Sequence, residues 1–589
     1  MSLELPGPPG YCSRQLIPYL GNKRALLPRL MPIMERLDNA GAPARFLDPF
    51  SGSGSVSRLA RAMGMRVEAN DWEPYSKAIN LCWLGLSRDD LGRAFGGTSA
   101  CKKVLEEWNS MHPLAAMATV PDSAIGDPHM GRWYAPRHTE APRLGEERLF
   151  YTAENALFID RVRTRIQNEY PDPVPGSNEE VRRTVLLAAL LLEAATHANT
   201  SGVFKAYHRG FGGNGKDALG RIMGRMELEL PILPEAAAAS VSCMDAKAFL
   251  MGRSADIVYF DPPYNQHQYG SNYHILNTIL RWDGKPLPIE GNDNRSCSRK
   301  AGIPERWKAT RSAFCSKPVV REAIREVLDN ADAAMLVFSW NADGHLTGEE
   351  LAEILSARGR LEIAALDYTA YRGGRQSASK RTGSREYLFL VDTRGTSRGK
   401  DASVREIRAL AGLDAAIRAQ YDPGRVAACF GLAPASAGLF DPLSSASRGE
   451  LSADNSAARR FFRPDLRAAA DGAAVQLAAM ERDSRTAFLG RLVSCACSDG
   501  VEQLEALQGI TERALGCGDR KQARRTLREA PRLIRKLAHR KYEDRFRQFV
   551  EVFWNLGIQT GDSSIIESLA RLETLMEQRI SRDRPPRSG

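Results

Sequence analysis

Residues 255–274 read ADIVYFDPPYNQHQYGSNYH, and the first ten of them decide the fold. Ile257–Phe260 is a short apolar run, β-branched and aromatic, of the kind that forms a buried strand. Asp261, Pro262, Pro263 and Tyr264 follow it directly. Proline donates no ladder hydrogen bond, so the strand ends here, and each residue before a proline is held extended. The strand's carboxyl end therefore presents an acid, the Pro262 carbonyl and an aromatic ring. A plain strand-terminating turn would read the same in isolation, so the rest of the chain has to decide.

Upstream, RFLDPF (45–50) is a second strand ending at a proline. It is followed by the turn SGSGSV, the helically spaced SRLARAMG and a third strand, RVEAND (66–71). Gly52 and Gly54 lie in that turn, where a missing Cβ lets a ligand approach the backbone. Asp71, at the end of the next strand, suits a ribose hydroxyl pair. Ser57 stands where the dinucleotide fingerprint needs its last glycine, and no GxxxxGK[ST] exists, so neither NAD-type nor P-loop binding is supported. An ordinary tight turn remains the competing reading of the loop taken alone.

Downstream, VVREAIREVLDNADA reads as a helix and AMLVFSW as a strand, with LEIAALDY and REYLFLVD as a closing antiparallel pair. Residues 86–240 are polar and mostly helical and interrupt this alternation. The expected fold is a Rossmann-like, doubly wound α/β sheet with a large helical insertion and an all-α C-terminal domain. The expected boundaries are 1–85 and 241–392 for the two parts of the core, 86–240 for the insertion and 393–589 for the helical C-terminal domain.

The 589 residues exceed a single core. A hydrophobic fraction of 43% and a charged fraction of 26% are those of a globular protein. No apolar stretch approaches a membrane span and no secretory signal opens the chain, so a cytoplasmic location is expected. Ten cysteines form no CxxC pair or Cys/His cluster, so no metal is expected. A net charge of +10 permits a polyanionic partner without establishing one.

The strand end suits one chemistry. An exocyclic purine amine is a poor nucleophile because its lone pair is delocalised into the ring. Methylating it calls for acceptors that bind the amino hydrogens and draw the lone pair toward tetrahedral geometry. Asp261 offers a carboxylate, Pro262 a directed carbonyl, and Tyr264 a face on which an extruded base can stack. A sulfonium donor has a neutral leaving group, so positioning and hydrogen bonding can carry the reaction.

Taken in order, YLGNKRALLPRL (19–30), FLDPFSGSGSV (46–56), AND (69–71) and DPPY (261–264) resemble the D12 class of DNA adenine-N6 methyltransferases, which includes the Dam enzymes. With the long insertion ahead of DPPY, the order is that of its alpha group. The resemblance covers roughly residues 11–392. It implies the class I methyltransferase fold, S-adenosylmethionine as cofactor and a flipped adenine in duplex DNA as substrate. It also implies that Tyr19 and Lys23 contact the cofactor, with Asp48, Phe50, Gly52 and Gly54 in its loop. Asp71 would hold the ribose, Asp245 in SCMDAKAF would lie near the cofactor adenine, and Asp261 would sit between donor and target amine. FSWN (338–341) resembles a later strand of the family, and NYH (272–274) a segment that follows DPPY in one subgroup. GNK replaces the GGK of many relatives. The insertion and C-terminal part differ in length from the compact Dam enzymes, so no target sequence is carried over.

Target reading is expected in the insertion, where HANTSGVFKAYHRGFGGNGK (197–216) offers Lys205, Arg209 and Lys216 for phosphates and interleaves Phe204, Tyr207 and Phe211. A solvated loop with its aromatics in the core is the alternative. Arg372, Arg375 and Lys380 lie in a second basic loop expected to reach the DNA backbone beside the active site, with a surface hairpin as the alternative. The basic C-terminal helices carry an apolar stripe of Leu527, Ile534, Leu537, Phe549 and Phe553. They are read as contacting DNA, as docking a partner such as a cognate nuclease or another defence protein, or as a solvated face. The sequence thus points to a site-specific DNA adenine methyltransferase of restriction-modification or phage defence. An RNA methyltransferase, or a DNA-sensing subunit of a defence complex, is the competing reading.

Overall fold

The structure is a computed structural model. It describes residues 4–37, 43–115, 128–213, 218–283, 301–341, 344–368, 384–397, 399, 403–404, 407 and 500–582, apart from 517, 519, 529 and 539–541. The chain divides into two compact units, Met1–Ser403 and Val404–Gly589.

In the first unit the strands are β1 (Arg45–Asp48), β2 (Arg66–Asn70), β3 (Ser240–Ser242), β4 (Ser254–Phe260), β5 (Asp332–Asn341), β6 (Arg360–Tyr368) and β7 (Ser384–Asp392). Among the described residues they form one seven-stranded sheet, in the order β3-β2-β1-β4-β5-β7-β6. β1 pairs in parallel with both β2 and β4, Phe46 facing Val67 on one side and Ile257 on the other. The chain runs outward from β1 to β2 and β3, then returns to the far side of β1 as β4. The carboxyl ends of β1 and β4 therefore flank a topological switch point, where open α/β sheets bind ligands. β7 runs antiparallel between β5 and β6, Phe389 facing Phe338 and Ile363.

The helices ahead of the insertion are α1 (Leu27–Leu37), α2 (Ser55–Ala62) and α3 (Pro74–Trp83). The insertion adds α4 (Arg88–Phe95), α5 (Thr98–Asn109), α6 (His129–Tyr134), α7 (Ala153–Glu169), α8 (Asn178–Thr196) and α9 (Leu219–Met223). Then follow α10 (Ala246–Leu250), α11 (Tyr269–Asn272), α12 (His274–Arg281), α13 (Val320–Asp329) and α14 (Gly348–Ser356). Local chemistry sets many of their starts. Ser87 with Asp90, and Thr347 with Glu350, form capping boxes, and Ser177 caps α8 through the Glu180 amide. From Val185 to Ala195 α8 is buried nearly all round, as a core helix must be, and it packs on α3, α4, α7 and α12. Its leucines join the same apolar cluster as Phe46, Ile257 and Leu388 of the sheet, so insertion and sheet share one core.

Two arginines of α2 depart from the amphipathic pattern. Arg58 and Arg61 are fully buried. Arg61 donates to the carbonyls of Leu86 and Ala236 at 2.9 and 3.0 Å, tying both ends of the insertion to α2. Arg58 donates to the carbonyls of Tyr11 and Arg14, holding the N-terminal segment.

In the second unit the helices Gly500–Gly516, Arg520–Leu527, Ala530–Leu537, Glu543–Thr560 and Ser563–Arg582 enclose their own core. Leu527, Ile534, Leu537, Phe549 and Phe553 are all buried there, as the apolar stripe predicts. Arg520, Lys521, Arg524 and Arg528 face outward. Among the described residues, no helix is long and apolar enough to cross a membrane.

Candidate active site

A cleft with a cavity of about 200 Å³ opens at the switch point. Its wall brings together Tyr19, Lys23, Asp48, Phe50, Gly52, Asp71, Asp245, Asp261, Pro262, Pro263 and Tyr264, residues drawn from stretches far apart in the chain. Gly54 alone of the expected loop residues lies outside the lining. A Cβ at Gly54 would stand 2.2 Å from Asn80 Oδ1, so this glycine serves the packing of α3.

Each wall has its own support. Gly52 has φ +51°, and a Cβ there would come within 2.8 Å of the Tyr19 ring. Ser76 Oγ and Asn80 Nδ2, both on α3, donate to the Gly52 carbonyl at 2.6 and 3.2 Å and fix the loop. Asp71 accepts from the Gly52 amide at Oδ2 and from the Glu73 amide at Oδ1, both at 2.8 Å. Burial pushes its carboxyl up to about 6 despite these bonds. Asp48 accepts from Ser57 Oγ at 2.5 Å and from the Phe50 amide at 3.2 Å, and burial pushes it up to about 7. Asp245 caps α10 by accepting from the Lys247 amide at 2.9 Å.

Lys23 Nζ lies 2.9 Å from Asp261 Oδ1 and 2.9 Å from Glu386 Oε1, and 5.5 Å from the centre of the Tyr264 ring. The lysine side chain is 2% exposed. Burial opposes its charge, yet Asp261 and Glu386 outweigh burial and raise its pKa well above the ordinary value. Burial also raises Asp261, which Lys23 counters and Glu386 reinforces.

The stretch after DPPY acts as scaffold. Tyr269 Oη donates to the Leu20 carbonyl at 2.9 Å, and the Leu20 amide donates to Tyr273 Oη at 2.9 Å. The Tyr19 ring packs 5.2 Å from Tyr269 and 5.4 Å from Tyr273. His267 sits beside residues 312–315: the Cys315 thiol donates to its carbonyl at 3.3 Å. Gln268 clasps the Ser312 backbone in both directions, at 3.1 and 2.9 Å. Thr310 donates to Glu73 at 2.9 Å, and Phe314 meets Phe50 edge-on at 5.1 Å, so residues 310–314 close one side of the cleft.

Several of these groups escaped the sequence reading. Glu386 stands directly before the apolar run Tyr387–Val391 of β7, and an acid leading into such a run is the signal it carries. Glu73 lies two residues beyond Asp71 and is pushed up to about 7 by burial. The segment 310–314 has no motif of its own.

The loop at 197–213 divides its residues between core and surface. Phe204 and Phe211 are buried, and Tyr207 is half-buried with its ring 4.9 Å from Phe150. Packing holds Phe204 and Phe211 in the core, while Tyr207 keeps part of its surface exposed. Lys205 and Arg209 are exposed. Burial and then the Lys205 charge hold His267 below its ordinary pKa. Lys216, Arg372, Arg375 and Lys380 lie outside the described residues.

The charge of the lining tests what the cleft can hold. Among the described residues, Asp48, Asp71, Glu73, Asp245, Asp261 and Glu326 of the lining face Lys23, Lys247 and Arg311 as cations. Lys23 is spent on Asp261 and Glu386, and Lys247 on Glu326 at 3.3 Å. Such a lining suits a cationic ligand, and the Gly52 approach together with Asp71 suits its nucleoside part.

The model of the D12 class N6 adenine-specific DNA methyltransferase family matches residues 19–287. Type II methyltransferase M.NlaIII of Neisseria lactamica is 28% identical over 355 residues, 59% of this chain and 90% of that protein. Type II methyltransferase M.CviAII of Paramecium bursaria Chlorella virus 1 is 32% identical over 253 residues, 43% of this chain and 68% of that protein. Type II methyltransferase M.FokI of Planomicrobium okeanokoites is 30% identical over 378 residues, 63% of this chain and 52% of that protein.

Proposed function

The chain belongs to the D12 class of N6 adenine-specific DNA methyltransferases, and from that premise we propose that it methylates adenine at defined sites in duplex DNA with S-adenosylmethionine as donor. The observation that carries this reading is the meeting of the Asp261–Tyr264 edge with the Gly52 loop and Asp71 in one cleft at the switch point. When bound, the donor supplies an electrophilic methyl group on a sulfonium. The carboxylate-rich lining supports a cationic donor: Asp71 would hold its ribose, Asp245 would lie near its adenine, and Tyr19 and Phe50 would contact it.

The protein's own residues then handle the amine. N6 is paired inside the stack, so the target adenine has to leave the duplex before it can reach Asp261. The Asp261 carboxylate and the Pro262 carbonyl accept the two amino hydrogens, which returns the lone pair to nitrogen. Tyr264 supplies the stacking face, with Trp340 behind it at 6.1 Å, edge-on. Lys23 holds the Asp261 carboxylate at Oδ1. Lys205 and Arg209 meet phosphates beside this edge, and the exposed cations of the second unit suit the same partner. The names of the relatives support a role in restriction-modification.

The test is to incubate the purified chain with unmethylated genomic duplex DNA and labelled S-adenosylmethionine. Digested DNA should yield N6-methyladenine, and Asp261→Ala should abolish it while DNA binding persists. Label on cytosine, on RNA in preference to duplex DNA, or on protein would overturn the reading.

A further inference from the structure

We propose that Glu386 is a positioning residue for the methyl transfer: it anchors the Lys23 ammonium, which in turn orients the Asp261 carboxylate. The inference rests on the reading of Asp261 as the group that meets the amine. Glu386 is 0% exposed and lies on β7, opposite Asn341 of β5 and Leu366 of β6. A carboxylate in the middle of a sheet is costly to bury without partners, and this one has three. Ser339 Oγ donates to Oε1 at 2.6 Å and Asn341 Nδ2 donates to Oε2 at 3.4 Å, both from β5. Lys23 Nζ stands 2.9 Å from Oε1.

The arrangement does something that a simple Lys–Asp pair would not. A lysine is a point charge on a flexible four-carbon stem. With Asp261 as its one partner, the two side chains could swing together. Asp261 sits at the strand end and its side chain is 18% exposed, whereas Glu386 is locked inside the sheet by two donors from the neighbouring strand. The anchored carboxylate removes that freedom. The ion pair then occupies Asp261 Oδ1 and leaves Oδ2 to accept from the amine. The charge matters as well as the geometry. The titratable groups that act on Asp261, or that it acts on, are Lys23, Glu386, Asp48 at the end of β1, Tyr259 of β4 and Tyr269 of α11. Among them Glu386 is the one that opposes Lys23 most directly and keeps the Asp261 carboxylate a strong acceptor.

The experiment is single-turnover methyl transfer to unmethylated genomic duplex DNA, with saturating S-adenosylmethionine, from pH 5.5 to 8.5. The parent chain is compared with Glu386→Gln, Glu386→Asp and Asp261→Ala. The Gln variant keeps the shape and acceptor capacity toward Ser339 but loses the charge. It should slow transfer by on the order of 10–100-fold, the scale expected of a misplaced reacting group. Donor affinity should stay within about twofold, and the acidic limb of the rate profile should move to lower pH, because a like charge beside Asp261 has gone. Glu386→Asp keeps the charge and should transfer at an intermediate rate with its acidic limb where the parent has it. A Gln variant at the parent rate would overturn the proposal, as would one that is slowed with its acidic limb unmoved, since that is the behaviour of a purely structural ion pair. Should the Gln variant fail to fold, slowed transfer by Glu386→Asp at the parent limb supports the proposal and parent-rate transfer overturns it. Activity in Asp261→Ala would instead overturn the underlying reading of Asp261.

Discussion

Raising the pH from 5.5 to 7 is expected to tighten binding of S-adenosylmethionine more than tenfold, and the cause lies in the buried carboxyls. Burial pushes Asp48 and Glu73 up to about 7 and Asp71 up to about 6. All three lie above their unfolded values of 3.8 or 4.5, so the ligand-free fold holds protons that the unfolded chain has released. Their contribution to stability is therefore lost as pH rises from about 4 toward 7, because the native state binds the extra protons. A cationic ligand favours the ionised form and drives those protons off. For one group at about 7 that becomes fully ionised on binding, the association constant rises about sixteenfold between pH 5.5 and 7, or ~1.6 kcal/mol. A group at about 6 adds a factor of about four. Titration calorimetry at both pH values, in buffers of different ionisation enthalpy, reads affinity and proton release together. S-adenosylhomocysteine is the control: it lacks the sulfonium, and the α-amino group of either molecule stays charged in this window. Equal affinities at both pH values, or the same slope for the neutral thioether, would refute the link between the carboxyls and the donor's charge.

Further consequences are open to equally direct checks. Lys23→Met leaves Asp261 and Glu386 buried without their shared cation and should cost about 3–5 kcal/mol of stability. Asp261, whose pKa Lys23 holds down, then binds its proton more tightly, so denaturant unfolding should show a larger loss at pH 8 than at pH 5.5, and equal losses would count against the buried network. Gly52→Ala puts a Cβ 2.8 Å from the Tyr19 ring at a φ of +51°, a strain of about 1–3 kcal/mol. Donor binding should weaken at least tenfold, and parent affinity in calorimetry would contradict the close approach. Lys205→Ala and Arg209→Ala should each lower the slope of log affinity against log salt by about one. A slope unchanged in both would remove this loop from the DNA interface.

What the sequence made legible was local. The DPPY edge, the glycine loop and Asp71 are readable because each is fixed by its immediate neighbours: prolines that end a strand, glycines that need left-handed backbone, and an acid at a strand end. β6 and β7 were legible as an antiparallel pair, but not the slot β7 takes between β5 and β6. That slot is decided by pairing across the sheet, and it is also what brings Glu386 to Lys23. Arg58 and Arg61 carry no sign of burial in the sequence. They are buried because the carbonyls of Tyr11, Leu86 and Ala236, all loop groups without ladder partners, come to meet them. Phe204 and Phe211 sit in a loop where no periodicity separates core from surface. The loop's course is set by Asn199, whose side chain donates to the Leu149 carbonyl and accepts from the Gly212 amide.

The placement of Lys23 shows why the stretch after DPPY carries so many polar aromatics. Residues 17–22 have no helix or strand to hold them, yet they must deliver a lysine to a buried carboxylate pair. The Leu20 peptide is the anchor: its carbonyl accepts from Tyr269 and its amide donates to Tyr273, and each group left unmade would cost about 1–3 kcal/mol. Tyr273 is in turn braced by Tyr75 of α3 at 5.2 Å, and Phe204 of the insertion donates through its amide to the Asn272 carbonyl at 2.7 Å. The insertion therefore reaches the DPPY cleft through its packing on α11 and α12. A tyrosine can do this where a phenylalanine cannot, because its ring fills the core while its hydroxyl bonds the Leu20 carbonyl or amide. The DPPY edge and its scaffold are thus one continuous piece of chain. In the proposed reaction DPPY would meet the base, and the residues just after it hold the N-terminal segment whose lysine pairs with Asp261.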